Sequence, residues 1–547
     1  MKLKNESCVI ILKFTYFSDL KKEFKGYNAS KLMGDVMAGI TVAAVALPLA
    51  LAFGVSSGAS AASGMITAVL AGIIIGVLSG ASYQISGPTG AMAAILVAVS
   101  ASHGVKGVMM AGFLSGIMLL LIAVLKIGRL VSYIPAPVIT GFTSGIALVI
   151  AVGQIDNFFG TQSSGSGVIE KFSSYFENGF NVNIPTLLFG VGAMLIMILW
   201  PKKLNSKVPG SLVAIIVALI VNMIFKFDSV AVVGAIPKTL FLEDRLTFNY
   251  LINADLDLFR AMLPTAFSIA ALGMIESLLC GASAGKMKDE KLNADRELVA
   301  QGVGNIIIPF FGGVPATAAI ARTSVAIKSG QRTRLTSVIH SVILLLAMFL
   351  LGSVMSMIPL AALAGVLMVT AWRMNEWKLI KYFFSRKFYM AIIQYLVTMI
   401  VTLFFDLTIA IIVGIAVSMV LYVIKSTITI DVSDVKDDEG NVRENAKIVY
   451  VEGPLFFGTQ EKLFNELYKF QPEINTIVIS MRGVPSIDES VIEEFASFFG
   501  NLNRAGINIH FCGIMPNVKK MFDRSGLAET LGEDKFHYDV IAAVNSL

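Results

Sequence analysis

Two short stretches of this chain could hold an anion. They are Gln84-Ile85-Ser86-Gly87-Pro88-Thr89-Gly90 and Gly312-Gly313-Val314-Pro315-Ala316-Thr317. Each is a Gly/Pro break set inside a hydrophobic stretch, one in each half of a long apolar region. A helix that stops within a bilayer leaves bare N–H groups at the start of the next half-helix. Those groups carry the positive end of the helix dipole, on which an anion can sit. A pair of interrupted spans at matching places in two halves points to the binding site of a carrier.

Charged side chains near the breaks sharpen this expectation. Glu276 lies within the apolar run Met262–Ala284. An ionised carboxylate there is expensive and faces a cavity or a partner. One reading makes it a proton- or cation-binding group that lets an anion enter with a compensating charge. The other makes it half of a structural ion pair or a helix-end residue. Arg322, after the second break, either adds positive potential behind an anion or pairs with Glu276 or reaches toward Lys328. Phe53, beyond Pro48, either walls a site with its ring edge or simply packs. His340 is expected at an interface near Arg334, and Asp406 at an external turn. The methionines, 25 in number, are expected to fill gaps and face lipid.

The elements that must position these residues follow from hydropathy. Of 547 residues, 55% are hydrophobic and 15% charged, and the mean hydropathy is +0.75. A soluble chain is nearer a quarter charged. Apolar runs long enough to span a bilayer recur between Asp35 and Lys425. Run length and breakers predict about fourteen spans. The first seven cover 35–54, 62–80, 85–101, 106–126, 134–153, 184–200 and 208–226. The second seven cover 262–283, 299–311, 315–328, 336–357, 359–372, 388–405 and 407–425. Alternate loops collect Lys and Arg, as at Lys202/Lys203/Lys207 and Lys286/Lys288/Lys291/Arg296, while Ser56–Ala62 has none. This pattern places both termini in the cytoplasm. Seven spans per half, each with a broken third member, imply two inverted repeats.

Beyond Lys425 charges return. The reading divides the chain into an N-terminal cytoplasmic segment (1–34), a transmembrane transport domain (35–425), a linker with the start of a soluble domain (426–446), and a soluble domain (447–547). In the last part Lys447–Val451, Thr476–Met481 and Ile507–Cys512 read as strands. Glu461–Phe470, Ser490–Asn503 and Asn517–Ser525 read as helices, giving a small α/β layer fold. Asp434–Glu444 reads as a polar linker. Cys8–Phe17 reads as a short interfacial helix, with no secretory cleavage pattern after it.

Several functions are not supported. The net charge of +5 comes with no basic patch carrying interleaved aromatics, so no nucleic-acid partner is expected. The three cysteines and four histidines are scattered, and no disulfide framework, metal set or cofactor site follows. No nucleophile–base pair or Walker-type Lys argues for an enzyme.

At this point the chain resembles the SulP anion transporters, bacterial relatives of the solute-carrier-twenty-six family. The resemblance runs from Asp35 to the C-terminal region. It rests on Asp35-Val-Met-Ala-Gly39 with Thr41-Val42 and Pro48, Ser86-Gly87-Pro88, and Glu276-Ser277-Leu278-Leu279. It also rests on Glu297-Leu298-Val299-Ala300-Gln301-Gly302, Phe311-Gly312-Gly313-Val314-Pro315 and Ala321-Arg322-Thr323. It implies an α-helical polytopic fold of fourteen spans as 7+7 inverted repeats, with two half-helices and a cytoplasmic STAS domain. It further implies a core and a gate that alternate access, and a homodimer in the cytoplasmic membrane. A cytoplasmic partner of the STAS domain is left open.

The resemblance maps an anion site onto Phe53, Ser86, Thr89, Gly90, Ala321 and Arg322, with ion coupling at Glu276. The family often has Gln after the first-span Pro; Leu49 stands here, which shifts weight to backbone donors. Sodium-coupled bicarbonate members carry hydroxyl residues where this chain has Cys280 and Ile320, which favours H+ over Na+ coupling. The expected substrate is sulfate, bicarbonate or a dicarboxylate. In the STAS region Asp488-Glu489 stands where soluble regulators carry Asp-Ser, so a phospho-switch at that position is not expected. The competing readings are a Na+-coupled symporter or anion exchanger, a channel or nucleobase carrier on the same fold, and a membrane sensor signalling through the STAS domain.

Overall fold

The computed structural model describes residues 16–164, 167–201, 208–253, 256–405, 407–436, 442–469 and 474–547. Most of Cys8–Phe17, the lysines 202, 203 and 207, and Asp406 lie outside them. Within the described residues the chain forms two compact units, Met1–Ile415 and Ala416–Leu547.

Helices dominate the first unit because a bilayer offers peptide groups no water, so each N–H must find a carbonyl within its own segment. Among the described residues six helices are long and apolar enough to cross a membrane, and five shorter apolar helices accompany them. In chain order the unit holds α1 (Tyr16–Glu23), α2 (Ala29–Ser56), α3 (Ala61–Leu70), α4 (Gly90–Val124), α5 (Ala136–Gly153), α6 (Ile155–Phe159), α7 (Val168–Asn178), α8 (Ile184–Leu199) and α9 (Gly210–Phe225). Then come α10 (Leu256–Lys288), α11 (Ala294–Ile307), α12 (Ile320–Lys328), α13 (Leu335–Met355), α14 (Leu360–Met374), α15 (Trp377–Ser385), α16 (Tyr389–Phe404) and α17 (Leu407–Lys425), in which the boundary of the units falls. Two short strands, β1 (Ser86–Gly87) and β2 (Thr317–Ala318), precede α4 and α12. Side-chain caps start several helices. Asn28 accepts from Lys31 N, Ser60 from Ser63 N, Asn183 from Thr186 N and Asn293 from Arg296 N, each satisfying an orphan donor.

The stretches 85–101 and 106–126, expected as separate spans, are two helices that meet at a kink at Gly104, whose backbone is non-helical; they share the label α4. Glycine adopts that conformation without a Cβ penalty. One departure from the expected outline is a turn of π-helix at Ala71–Ile75, which continues α3 toward Leu78. Such turns insert one residue into a helix and recur at functional sites.

Close backbone approach holds the spans together where small residues meet. In α5 a Cβ on Gly141 would lie 2.4 Å from Tyr395 O, and one on Gly145 2.4 Å from the Thr402 Cβ, both on α16. Glycines four apart clear one helical stripe, the usual device for close packing of membrane helices.

Buried polar groups tie the remaining seams. Asp35, fully buried, accepts from Arg332 N (2.6 Å), Thr333 N (2.9 Å), Thr333 Oγ1 (2.6 Å), Thr336 Oγ1 (2.8 Å) and the Tyr27 hydroxyl (2.8 Å). This cage fixes the loop between α12 and α13 to the start of α2. Glu23 pairs with Arg334 at 2.8 Å with both side chains under a tenth exposed, and Asp19 pairs with Arg296 at 2.8 Å. His340 is fully buried on α13, where among the described residues neither ring nitrogen is hydrogen-bonded. It faces inward, packed near Gly72 of the π turn.

The second unit is a five-stranded sheet with helices. Strand order follows the chain, β3 (Thr429–Lys436), β4 (Val442–Glu452), β5 (Thr476–Gly483), β6 (Asn508–Cys512) and β7 (Phe536–His537); β3–β4 is antiparallel and the rest parallel. Parallel neighbours need crossovers. These contain α18 (Phe457–Tyr468), α19 (Glu489–Ala505) and α20 (Pro516–Arg524). Phe464, Phe495, Phe498, Phe499, Phe511 and Phe522 form the centre of its core. The expected polar linker at Asp434–Glu444 is partly strand, since β3 ends at Lys436 and β4 begins at Val442; residues 437–441 lie outside the described residues. Its charged side chains hid an exposed edge, where polar residues are the norm. Asp488 caps α19 by accepting from Val491 N (3.0 Å) and also accepts from Phe457 N (2.9 Å), with Glu489 the first residue of the helix.

Candidate functional site

Each break lets the backbone run extended before a half-helix begins. Strands β1 and β2 then find one another as an antiparallel pair, with Ser86 opposite Ala318 and Gly87 opposite Thr317. Ala319 N donates to Ile85 O at 2.9 Å and extends the pairing. Unpaired extended backbone is not tolerated at this depth, so the two breaks satisfy each other. β1 leads into α4 and β2 into α12, and both half-helices therefore start beside the same pair of strands.

Thr89 is the N-cap of α4. Its hydroxyl accepts from Met92 N at 3.4 Å and donates to Glu276 Oε2 on α10 at 3.1 Å. Arg322, in the first turn of α12, is 2% exposed. Its Nη2 donates to Pro88 O at 2.6 Å, and its Nη1 has no partner. Among the described residues it forms neither an ion pair with Glu276 nor a contact that reaches toward Lys328. A Cβ on Gly87 would stand 2.5 Å from Arg322 Nη1. Only glycine leaves room there for the guanidinium to cross the first break.

The residues named from the sequence divide by exposure. Thr89 and Glu276 are half-buried and Ala321 is exposed, so all three border accessible space. Phe53, Ser86, Gly90 and Arg322 are buried. Phe53 nonetheless belongs to the same cluster, because a Cβ on Gly90 would meet its ring at 3.0 Å and Ile150 of α5 at 2.4 Å. Ser86 faces inward and accepts from Gln301 Nε2 at 3.1 Å.

A layer of hydroxyls and amides behind the site carried no assigned role in the sequence reading. Ser277 Oγ lies 2.9 Å from Thr317 Oγ1, and its carbonyl accepts from Gln84 Nε2 at 2.8 Å. Thr323 Oγ1 accepts from Ile85 N at 3.0 Å and from Cys280 Sγ at 3.4 Å. Deeper still, Gln301 Nε2 donates to Glu297 Oε1 at 2.9 Å, and Glu297 Oε2 accepts from Ser79 Oγ at 2.6 Å and Gly80 N at 3.0 Å. Asn305 joins Ala316 through both its amide atoms, at 2.7 and 2.9 Å. Polar residues recurring inside apolar segments were the available signal. Among the described residues no cluster of three or more His, Cys, Asp or Glu is placed to hold a metal ion.

Residues 32–395 match the model of the sulfate permease family. The chain belongs to that family. Residues 439–543 match the STAS domain. Sulfate permease family members are membrane transporters and not enzymes. YvdB of Bacillus subtilis, provisionally named a sulfate transporter, is 34% identical over 95% of this chain and 98% of its own length. The bicarbonate transporter BicA of Picosynechococcus is 30% identical over 85% of this chain and 86% of its own. The solved transmembrane domain of a cyanobacterial BicA has a TM-score of 0.64 at 28% identity, covering 71% of this chain and 98% of that one. Murine Slc26a9, an anion transporter solved in an inward-facing state, has a TM-score of 0.85 at 18% identity, covering 100% and 96%. The fold of this sulfate permease family member is thus a helical, membrane-embedded, multi-pass domain followed by a STAS domain.

Proposed function

We propose that this protein is a secondary carrier of an inorganic oxyanion or small carboxylate, coupled to H+ at Glu276, working by alternating access. Sulfate, bicarbonate and dicarboxylates are the substrates it would take. The observation that carries the reading is the bond between Glu276 and Thr89, because Thr89 also caps the half-helix on which the anion would sit. The first-turn N–H groups of α4 and α12 supply donors, and their dipoles favour negative charge. Buried Arg322 adds positive potential behind them. Deprotonated Glu276 repels an anion at this place, and a proton on it removes the repulsion. Proton and anion then enter as a pair, and neither is welcome alone. The proposal includes the cytoplasmic membrane as location, both termini in the cytoplasm and a homodimer, on the strength of the family resemblance and the loop charges.

Sodium coupling or anion exchange is the second reading. Sodium coupling is favoured by the Thr89 hydroxyl bonded to Glu276, with the Ser277–Thr317 hydroxyl pair in the layer behind, oxygen ligands that Cys280 and Ile320 do not provide. The deciding experiment is uptake of sulfate, bicarbonate and fumarate into liposomes holding purified protein, with H+ and Na+ gradients imposed separately. Stimulation by an inward H+ gradient, abolished by Glu276→Gln, is expected. Stimulation by Na+ alone, or a Glu276→Gln protein with unchanged rate and pH dependence, would overturn the proton role.

A further inference from the structure

Helix α7 leaves an apolar side uncovered next to an exposed polar side of Glu170, Ser173 and Glu177. A third side is bound to the protein. Lys171 Nζ lies 2.7 Å from Asp156 Oδ2, and the Tyr175 hydroxyl donates to Asp156 Oδ1 at 2.8 Å. Ser174 Oγ accepts from Ser164 N at 2.9 Å and from Asn178 Nδ2 at 3.1 Å. Its apolar side is bare: Ile169, Phe172 and Phe176 are exposed, Phe176 by 89%. Phe172, Tyr175, Phe176 and Phe180, with Ile155 and Phe159 of α6, wall an apolar cavity of about 430 Å³. Edge-to-face rings at 5.2 Å (Phe159–Phe180 and Tyr175–Phe180) hold its wall in shape.

The place of this helix limits what can cover it. Asn183 N donates to Phe159 O at 2.9 Å, so the loop leaves the end of α6 and returns beside it to open α8. Helix α7 therefore lies over the ends of membrane helices, where chains emerge from the hydrocarbon. Ile184 and Leu188, at the start of α8, are 60% and 66% exposed and continue the same apolar surface along the span. A protein partner would have to cover that lipid-facing surface as well.

We propose that α7 is an interfacial helix, seating Ile169, Phe172 and Phe176 between lipid headgroups and acyl chains, with the adjoining aromatic cavity taking an acyl chain. Aromatic side chains gather at this depth because their rings tolerate both phases. The ion pair at Asp156 holds the helix so that its apolar side cannot roll inward. The inference stands apart from the anion reading, since none of the contacts it is argued from involves the broken helices.

Depth measurements test it. Phe176→Trp, in full-length protein whose Trp200, Trp372 and Trp377 are replaced by Phe, would be reconstituted in vesicles of brominated phosphatidylcholine. Blue-shifted emission is expected, quenched at least twofold more by bromines at shallow than at terminal chain positions and little by aqueous iodide. Strong iodide quenching would overturn the proposal. So would shielding from both quenchers, which would mean that a second copy or another protein covers the helix. Should the altered background fail to fold, a lipid with a photoactivatable acyl chain applied to the unaltered protein decides. Labelled peptides from 168–180 are expected, and labelling of α8 without them would overturn the inference.

Discussion

Arg322 and Gly87 are the residues on which the site geometry turns. The guanidinium reaches across to Pro88 O only because position 87 has no side chain. Gly87→Ala would place a methyl 2.5 Å from Arg322 Nη1 and move the guanidinium. The displaced charge is read in anion affinity, where about 1.4 kcal/mol is a factor of ten. The expected outcome is a roughly tenfold rise in the KM for the transported anion, read from uptake at graded concentrations. An unchanged KM would mean that Arg322 does not act on the anion. The sequence brought Gly87, Thr89, Glu276 and Arg322 forward because breaks and charges stand out in apolar text. It could not show that Arg322 bonds a carbonyl and not Glu276. Nor could it assign Ser277, Thr317 and Thr323, since a hydroxyl in a span can bond its own helix as readily as a neighbour.

Between elements, what holds α5 to α16 is the absence of side chains at Gly141 and Gly145. A branched residue at 145 would drive into Thr402, whose Cβ would lie only 2.4 Å from the first added carbon. Gly145→Val is expected to destabilise the folded protein by about 1–3 kcal/mol. It should lower the unfolding temperature in detergent while leaving the Glu276–Thr89 bond untouched. Thermal unfolding followed by size-exclusion chromatography measures this, and a Gly145→Ala protein should fall between the wild type and the valine variant. Helices were the most legible level of the chain, since an apolar run bounded by Pro or Gly has one solution in a bilayer. Their ends were less so. The break between the two parts of α4 was legible as a polar, glycine-containing stretch at Gly104 between two apolar runs. The π turn after α3 left no mark in the sequence, because it changes register and not composition.

At the scale of the whole molecule, the STAS unit carries a pH dependence of its own. His510 Nδ1 lies 2.9 Å from His537 Nε2, an arrangement that needs at least one neutral ring. Burial, with Lys535 and His537 nearby, pushes the His510 pKa down to about 4, and that of His537 is also lowered, chiefly by burial. The unfolded chain therefore binds protons here that the folded unit refuses. Stability from this pair is full above about pH 6.5 and is lost as pH falls toward 4. Unfolding of the STAS unit in full-length protein, followed by denaturant titration at pH 7.5 and 5.0, should show that loss, and His510→Asn should flatten it. A wild-type profile flat across this range would exclude the pair as its source. The α/β alternation of this unit was readable from strand and helix periodicity, whereas the edge strand β3 was masked by its exposed, polar side chains.

The pairing of β1 with β2 is made by peptide groups, which most residue types can supply. Gly87 apart, natural variation can therefore replace the side chains around the clasp without dismantling the clasp itself. A lineage built on such a frame is free to drift from one anion to another by changing what lines the cavity, while the two half-helices keep their appointment. Diversification of cargo on a constant scaffold then requires no invention of new architecture, only the retention of a backbone contact too small for its residues to be conspicuous.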